Sequence, residues 1–422
     1  MTHHERAIKT WMTENRNNGI RLLQRLVQER SIRGEESKAQ AIIIEKLRGI
    51  GLELDIWEIG GPELTGHTLF NSDRKKFYGN PNVVGVLEGV GGGRSMILNG
   101  HIDVVPEGDV DDWEYDPYSG HIHEGRLYGR GSTDMKGGTV SLLLAIEAIK
   151  ESGISLKGNV IFQSVIEEES GGAGTLAAVL RGYRGDGAII PEPTSMKIFP
   201  KQQGSMWFRI TVKGRSAHGG TRYEGISAIE KMFVVINELQ QLEKIRNARI
   251  KDPLYADIAI PIPINIGKMK SGEWPSSVPD SAVIEGRIGV APNETLEKVR
   301  EELENCLQAL KKRDDWFYHH PPKIDWFGGT WLPGNLDERH ELIHTVKQSY
   351  HKVRGCEPIV EASPWGTDGG ILSNIGGTPV LIFGPGTTEV AHDSNEYIII
   401  EQMFESAEII AFSLLNWCEV AD

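Results

Sequence analysis

Cysteine is scarce: three residues in 422, Cys306, Cys356 and Cys418, odd in number, widely spaced and in no CxxC pattern. That excludes a disulfide framework and fits a reducing compartment, with the thiols read as core or surface groups. Long apolar runs are missing as well. Nothing reaches the roughly 18 apolar residues of a membrane span, and the polar stretch from Met1 to Arg30 holds no signal-like apolar core. A cytoplasmic protein without a membrane partner is the expectation. Basic charge is in deficit, with 45 Lys and Arg against 59 Asp and Glu and a net charge of −14. A nucleic-acid or anionic-membrane surface needs the opposite sign. Walker loop, dinucleotide fingerprint and G-x-S-x-G elbow are all absent, which removes the common nucleotide-binding and serine-hydrolase readings.

What the chain does have is length and a rhythm of strands and helices. At 422 residues it exceeds the size at which one hydrophobic core usually stops growing, so two domains are expected. Two amphipathic helical patterns run from about residue 5 to 50, followed by a strand and a long polar loop over residues 60–82. Apolar strands are expected at residues 82–87, 95–98, 159–166, 187–190 and 379–383, alternating with helices such as residues 139–152. That alternation predicts an α/β fold with a mostly parallel sheet flanked by helices. Between residues 203 and 313 the order changes to β-α-β-β-α, a compact two-layer unit. It reads as an insertion into a catalytic domain formed by residues 1–202 and 314–422, because a strand of the first sheet follows it.

Ligands of open α/β sheets gather beyond the carboxyl ends of the strands. His101, Glu168, Glu169, Glu192 and His392 all fall there, following four separate strands. Imidazole and carboxylate donors suit a hydrolytic Zn centre, and a carboxylate bridging two ions about 3.5–4 Å apart would clamp water and carbonyl. Asp134 is the candidate bridge. It lies in Gly129-Arg130-Gly131-Ser132-Thr133-Asp134-Met135-Lys136-Gly137-Gly138, a glycine-rich loop that also reads as an ordinary tight turn into a helix. Asp103, two residues beyond His101 on the same strand face, is placed to accept the other imidazole N–H. The run Glu167-Glu168-Glu169 is either a solvated charge run or a cation site in which one carboxylate acts as general base while its neighbour ligates.

Taken together, Gly100-His101-Ile102-Asp103-Val104-Val105-Pro106, the Asp134 loop, Glu167-Glu168-Glu169-Ser170-Gly171, Glu192-Pro193-Thr194 and Ala391-His392 closely resemble the M20 metallopeptidase family. That group includes acetylornithine deacetylase, succinyl-diaminopimelate desuccinylase, aminoacylase and carboxypeptidase G. The resemblance implies a zinc-exopeptidase-like catalytic domain with a ferredoxin-like dimerisation and lid domain inserted at residues 203–313. It also implies two Zn2+ ions, replaceable by Co2+ or Mn2+. One would sit on His101, Asp134 and Glu192, the other on Asp134, Glu169 and His392, with Glu168 as general base and Asp103 orienting His101. The family usually has Asp-Glu-Glu where this chain has Glu167-Glu168-Glu169, and the peptide after the bridging Asp is often cis. By the same resemblance His218 would polarise the substrate carbonyl across a homodimer interface. Arg287 and Asn265 would contact the substrate, although both also read as ordinary sheet-surface residues, and Gly369 lies in a loop, residues 366–370, expected near it.

His121-Ile122-His123 and His319-His320 are read as hairpin and linker residues rather than ligands. The function expected is a dinuclear zinc-dependent N-deacylase of an N-acyl amino acid or similar small amide, acetylornithine deacetylase-like. A desuccinylase, a formyl-amine deformylase or a metallodipeptidase is the alternative within the family, and a metal-binding scaffold without turnover the alternative outside catalysis.

Overall fold

The computed structural model describes residues 1–421. The chain forms two compact units: Met1–Lys201, Gly334–Glu361 and the chain from Thr367 onward make the first, and Gln202–Pro333 with Ala362–Gly366 the second. Among the described residues no helix is long and apolar enough to cross a membrane.

In the first unit the sheet runs, in spatial order, Glu53–Glu58, Pro81–Leu87, Val160–Val165, Met96–His101, Gly187–Ile190, Val380–Ile382 and Ile198–Gln202. The four strands in the middle are mutually parallel. Glu53–Glu58 on Pro81–Leu87, Pro81–Leu87 on Val160–Val165 and Val380–Ile382 on Ile198–Gln202 pair antiparallel, and Gly334–Asn335 and Val360–Ser363 add to the sheet beside Ile198–Gln202. Every residue of Met96–His101 and of Val160–Val165 is buried, which is why these strands read as apolar runs rather than alternations. Helices Gly137–Glu151 and Ile400–Trp417 pack on one another and are buried almost all round. Side chains such as Leu142, Leu143, Ile409 and Leu414 each contribute about 1.5–3 kcal/mol by leaving water.

The N-terminal region holds three helices, not the two its periodicity suggested: His3–Glu14, Arg16–Gln28 and Ser37–Ile50. Asn15 makes the extra break. Its backbone N–H and side-chain amide both donate to the Trp11 carbonyl, at 2.9 and 3.0 Å, so the first helix is closed by a residue that competes with helix continuation. The first helix opens at Thr2 with a reciprocal capping box to Glu5. The long loop contains one helical turn, Pro62–Thr65, and its later part is tied down at Ser72 and Arg74.

The second unit is an antiparallel sheet in the order Ile264–Ser271, Ser281–Val290, Gly204–Lys213, Lys323–Trp331. Helices Ala228–Ala248 and Leu296–Ala309 pack against each other, and the first packs on the sheet. The chain order is β-α-β-β-α-β, the ferredoxin-like arrangement. The expected boundary at residue 313 is therefore corrected: the unit continues to Pro333, because Lys323–Trp331 pairs along Gly204–Lys213 as a fourth strand. Aromatic contacts drive that pairing. Phe327 packs edge-on to Trp207 at 6.1 Å and Trp326 to Phe208 at 6.5 Å.

Candidate metal centre

The four parallel strands deliver their side chains to one end. Met96–His101 terminates on His101, Val160–Val165 runs into Glu167-Glu168-Glu169, Gly187–Ile190 leads to Glu192, and residues 383–391 carry the chain from Val380–Ile382 to His392. Asp134 enters from the loop that precedes helix Gly137–Glu151, and its peptide bond to Met135 is cis. Gly138, at the start of that helix, must stay a glycine. A Cβ there would lie 2.0 Å from the Pro191 carbonyl oxygen, so the close approach of this helix to the Glu192 strand depends on the missing side chain.

Asp134 divides its two oxygens between two clusters. Oδ1 lies 3.1 Å from His101 Nε2, and that nitrogen is 3.8 Å from Glu192 Oε2. Oδ2 lies 3.3 Å from His392 Nε2, and that nitrogen is 3.2 Å from Glu169 Oε2. Ligand atoms of His101, Asp134 and Glu169 all fall within 4.8 Å of one another. His101, Glu192 and Glu168 are buried, whereas the His392 side chain is 52% exposed and opens the site to solvent. His392 and Glu167 both hold left-handed backbone angles, φ 62° and 66°, which non-glycine residues adopt at a cost of about 1–2 kcal/mol.

The charges show what such a cluster lacks. Burial pushes the Glu168 and Glu192 carboxyls well above the ordinary range, and their carboxylate neighbours add to it. Burial alone would lower His101, but Asp134 and Glu192 outweigh it and hold the imidazole well above its usual value. Glu169 foremost, with Asp134, pushes His392 up to about 11. Asp134 is held far below the carboxylate range by the two histidines despite its burial. Taken by themselves the protein groups satisfy each other only by gathering protons, and Glu169 Oε1 is buried without a hydrogen-bond partner. Divalent cations in place of those protons fit this donor set, all imidazole nitrogen and carboxylate oxygen.

Asp103 works differently from the expectation. His101 Nδ1 bonds the Asp103 backbone carbonyl at 2.8 Å, while the Asp103 carboxylate stands 3.8 Å away. That carboxylate instead accepts the backbone N–H groups of Glu168 and Glu169 at 3.2 and 3.1 Å. The expected bond thus comes from main chain, and the side chain fixes the next strand end, its own carboxyl pushed up to about 8 by burial.

One residue escaped the sequence reading. Glu396, fully buried, accepts the backbone N–H of Thr133 and Asp134 on Oε1 at 2.9 and 3.1 Å. Its Oε2 takes Gly131 N–H at 2.9 Å and Arg130 Nη1 at 2.7 Å. It anchors the Asp134 loop from a point four residues beyond His392. The available signal was a lone acid directly before the apolar strand Tyr397–Ile399. Gly369 is buried with its N–H on Thr367 Oγ1 at 3.0 Å. The ionisable group of its loop is the neighbouring Asp368, bonded to Thr175 Oγ1 at 2.6 Å and pushed by burial to about 6.

In the second unit Asn265 and Arg287 stand opposite each other on adjacent strands. Arg287 Nε and Nη2 are buried without hydrogen-bond partners, and burial lowers the guanidinium from its ordinary value. His218 is exposed, and its Nδ1 accepts the Gly220 N–H at 3.1 Å. The set-aside histidines are explained locally: His121 stacks on Tyr115 at 4.1 Å and His320 on Trp316 at 4.0 Å.

A family model described as Peptidase family M20/M25/M40 matches residues 97–416. The chain belongs to the M20 family. This M20 chain is 32% identical over 401 residues to the N-formyl-4-amino-5-aminomethyl-2-methylpyrimidine deformylase of Bacillus subtilis, covering 90% of this chain and 89% of that one. It is 29% identical over 350 residues to a Staphylococcus aureus protein named "Probable succinyl-diaminopimelate desuccinylase", covering 76% and 82%. In fold it is similar to the di-peptidase Dug1p from Saccharomyces cerevisiae, with a TM-score of 0.80 at 16% identity over the whole of both chains. It is also similar to the Bacillus subtilis YXEP protein, a dinuclear metal binding peptidase, with a TM-score of 0.66 at 17% identity over 96% and 99%. The chain is thus an amidohydrolase or peptidase of the M20 family with a candidate metal site at its strand ends.

Proposed function

We propose that this chain is a dinuclear metal-dependent amidohydrolase that removes a small acyl group from an amine, and that a formylated aminomethylpyrimidine is the first substrate to test. The observation that carries the chemistry is the division of Asp134: one oxygen toward His101 and Glu192, the other toward His392 and Glu169. The acyl preference is supported by the similarity to the Bacillus subtilis deformylase across nine-tenths of both chains. An acetyl group, the acetylornithine deacetylase-like expectation, is a further candidate within the same chemistry.

His101, Asp134 and Glu192 would hold one cation, and Asp134, Glu169 and His392 the other. When bound, the pair supplies Lewis acidity to the amide carbonyl and lowers the pKa of water. Glu168, buried at the strand end with its backbone fixed by Asp103, takes a proton from the attacking water and returns it to the leaving nitrogen. The products are formate, or another short carboxylate, and the free amine. His218 accepts at Nδ1, which leaves its proton on Nε2 as a donor suited to an oxyanion. A homodimer through the second unit is part of this reading. Phe233, Ile245 and Met269 are exposed there, the last on the edge strand Ile264–Ser271.

A second reading, an acyl group or amine bearing a carboxylate as in a desuccinylase, is favoured by Arg287. Its buried unpartnered nitrogens offer a planar anion fork. The test is amine release from a panel of the formyl-aminomethylpyrimidine, formyl-, acetyl- and succinyl-amino acids and dipeptides. Metal-depleted protein would be reloaded with Zn2+, Co2+ or Mn2+. Hydrolysis that is lost on chelation and restored by metal supports the reading. Absence of turnover on every substrate with every metal would overturn it.

A further inference from the structure

Glu167 has no place among the candidate ligands, yet its carboxylate accepts five hydrogen bonds. It is completely buried. Its Oε1 accepts Arg74 Nη1 at 2.8 Å and Arg33 Nε at 3.1 Å, and its Oε2 accepts Arg33 Nε at 3.1 Å, Ser72 Oγ at 2.9 Å and Ser170 Oγ at 2.8 Å. Arg74 Nη1 reaches the buried Glu36 as well, at 2.7 Å, and Arg33 Nη2 reaches Ser72 Oγ at 2.6 Å. Three stretches distant in sequence, around Arg33, Ser72 to Arg74, and Glu167, therefore close on one carboxylate. The two residues that follow it have their backbone N–H groups on the Asp103 carboxylate. The segment from Glu167 to Glu169 is clamped from both sides, and Glu167 itself holds a left-handed backbone conformation, a cost that its surroundings offset.

We propose that Arg33 and Arg74 are positioning residues. Through Glu167 they set the backbone that aims Glu168 at the reacting water and Glu169 at the cation it shares with His392. Ser72 and Arg74 bring the 60–82 loop into that contact. This inference rests on the roles given to Glu168 and Glu169 above. A displacement of about 1 Å in a reacting group can cost 100-fold in rate, so loss of the clamp should be read in kcat rather than in KM.

The test compares Glu167→Gln with the double variant Arg74→Ala/Glu36→Gln, in which the second change prevents an unpaired carboxylate from remaining in the core. Arg74→Lys serves as rescue and Arg25→Ala, in an exposed ion pair with Glu45, as control. Each is titrated with CoCl2 under chelator competition and assayed on the best substrate of the panel. Expected are a fall in kcat of at least tenfold with KM within threefold, and one of two Co2+ equivalents weakened at least tenfold. Arg74→Lys should lie within threefold of the parent, and Arg25→Ala should be unchanged. Native Co2+ affinities and native kcat in folded Glu167→Gln protein, or a change in KM alone, would overturn the role of the clamp. If the parent hydrolyses nothing on the panel, the functional reading fails, and the cobalt titration still decides whether the clamp positions Glu169.

Discussion

Glu396→Gln tests the cradle beneath the Asp134 loop. The carboxylate receives four donors: Arg130 Nη1 and the Gly131 N–H on one oxygen, and the Thr133 and Asp134 N–H groups on the other. Glutamine keeps one acceptor oxygen but turns an NH2 group toward two of those donors. The Arg130 side chain, 2% exposed, loses its counter-ion and keeps the Trp113 ring at 5.2 Å. A hydrogen bond to a charged group contributes about 1.5–3 kcal/mol, and breaking a buried ion pair by removing one partner costs about 3–5 kcal/mol. The two figures describe overlapping contacts, so the expected loss is about 3–5 kcal/mol, a large share of the about 5–15 kcal/mol that holds a typical protein folded. Urea unfolding of metal-depleted protein, followed by circular dichroism, measures it without stabilisation by bound metal. A change no larger than the about 0.5 kcal/mol of an ordinary surface substitution would show that the Asp134 loop does not depend on Glu396.

The base assignment predicts that Glu168→Ala keeps its metal content, read by elemental analysis, while kcat falls about 10²–10⁴-fold, the span of general acid–base catalysis. Retained turnover would remove that role. Gly138→Ala brings a methyl to 2.0 Å from the Pro191 carbonyl; overpacking of this kind costs about 1–3 kcal/mol, and the shift should also weaken the cation held by Glu192, both read in one thermal and metal titration series. Lys352 Nζ donates to the buried Glu5 at 2.6 Å. Burial alone would raise that carboxyl, but the Lys352 and Thr2 bonds outweigh it and hold it below 4.5. The native state then binds fewer protons than the unfolded chain in the carboxylate range, so this stabilisation is complete above pH 4.5 and disappears as pH falls through the depressed folded value. Lys352→Met should flatten that part of the acid-denaturation curve. Thiol labelling should modify the exposed Cys356 at once. Cys306, half-buried and pushed by burial to about 11, should react more slowly, and the buried Cys418, pushed to about 12, should wait for unfolding.

Four of the ligand candidates were legible because each ends or follows a short apolar strand, and strand ends are where an open α/β sheet presents its side chains; Asp134 was legible from its glycine-rich loop instead. His101, Glu169, Glu192 and His392 could be collected from four such ends without knowing the strand order, and the structure sets the strands side by side. Groups that hold the ligands in place were not legible in the same way. Glu396 contacts Asp134 from 262 residues away, and Arg33 reaches Glu167 across 134; no periodicity links such pairs, since their partners are backbone amides and loop guanidiniums. The boundary of the second unit was missed for a related reason. Lys323–Trp331 alternates only in part, with a register shift between Phe327 and Thr330, so its strand character depends on Trp207 and Phe208 in a strand more than 100 residues earlier.

The same contrast bears on specificity. The candidate ligands at the strand ends are fixed by the sheet and are those that the resemblance to a family identifies most readily, so they bear on the kind of bond broken and say little about whose. The acidic run adds a second link: the buried Glu167 carboxylate is held by Arg33, Ser72 and Arg74. The loop over residues 60–82 is thereby joined to the backbone that carries the proposed base and one proposed ligand. Exchange of residues 66–80 with the corresponding loop of another M20 enzyme should therefore change kcat through Glu168 as well as any contact the loop makes with substrate. If such exchanges altered KM alone, the loop would be a specificity element and nothing more, and Glu167 an ordinary buried ion pair.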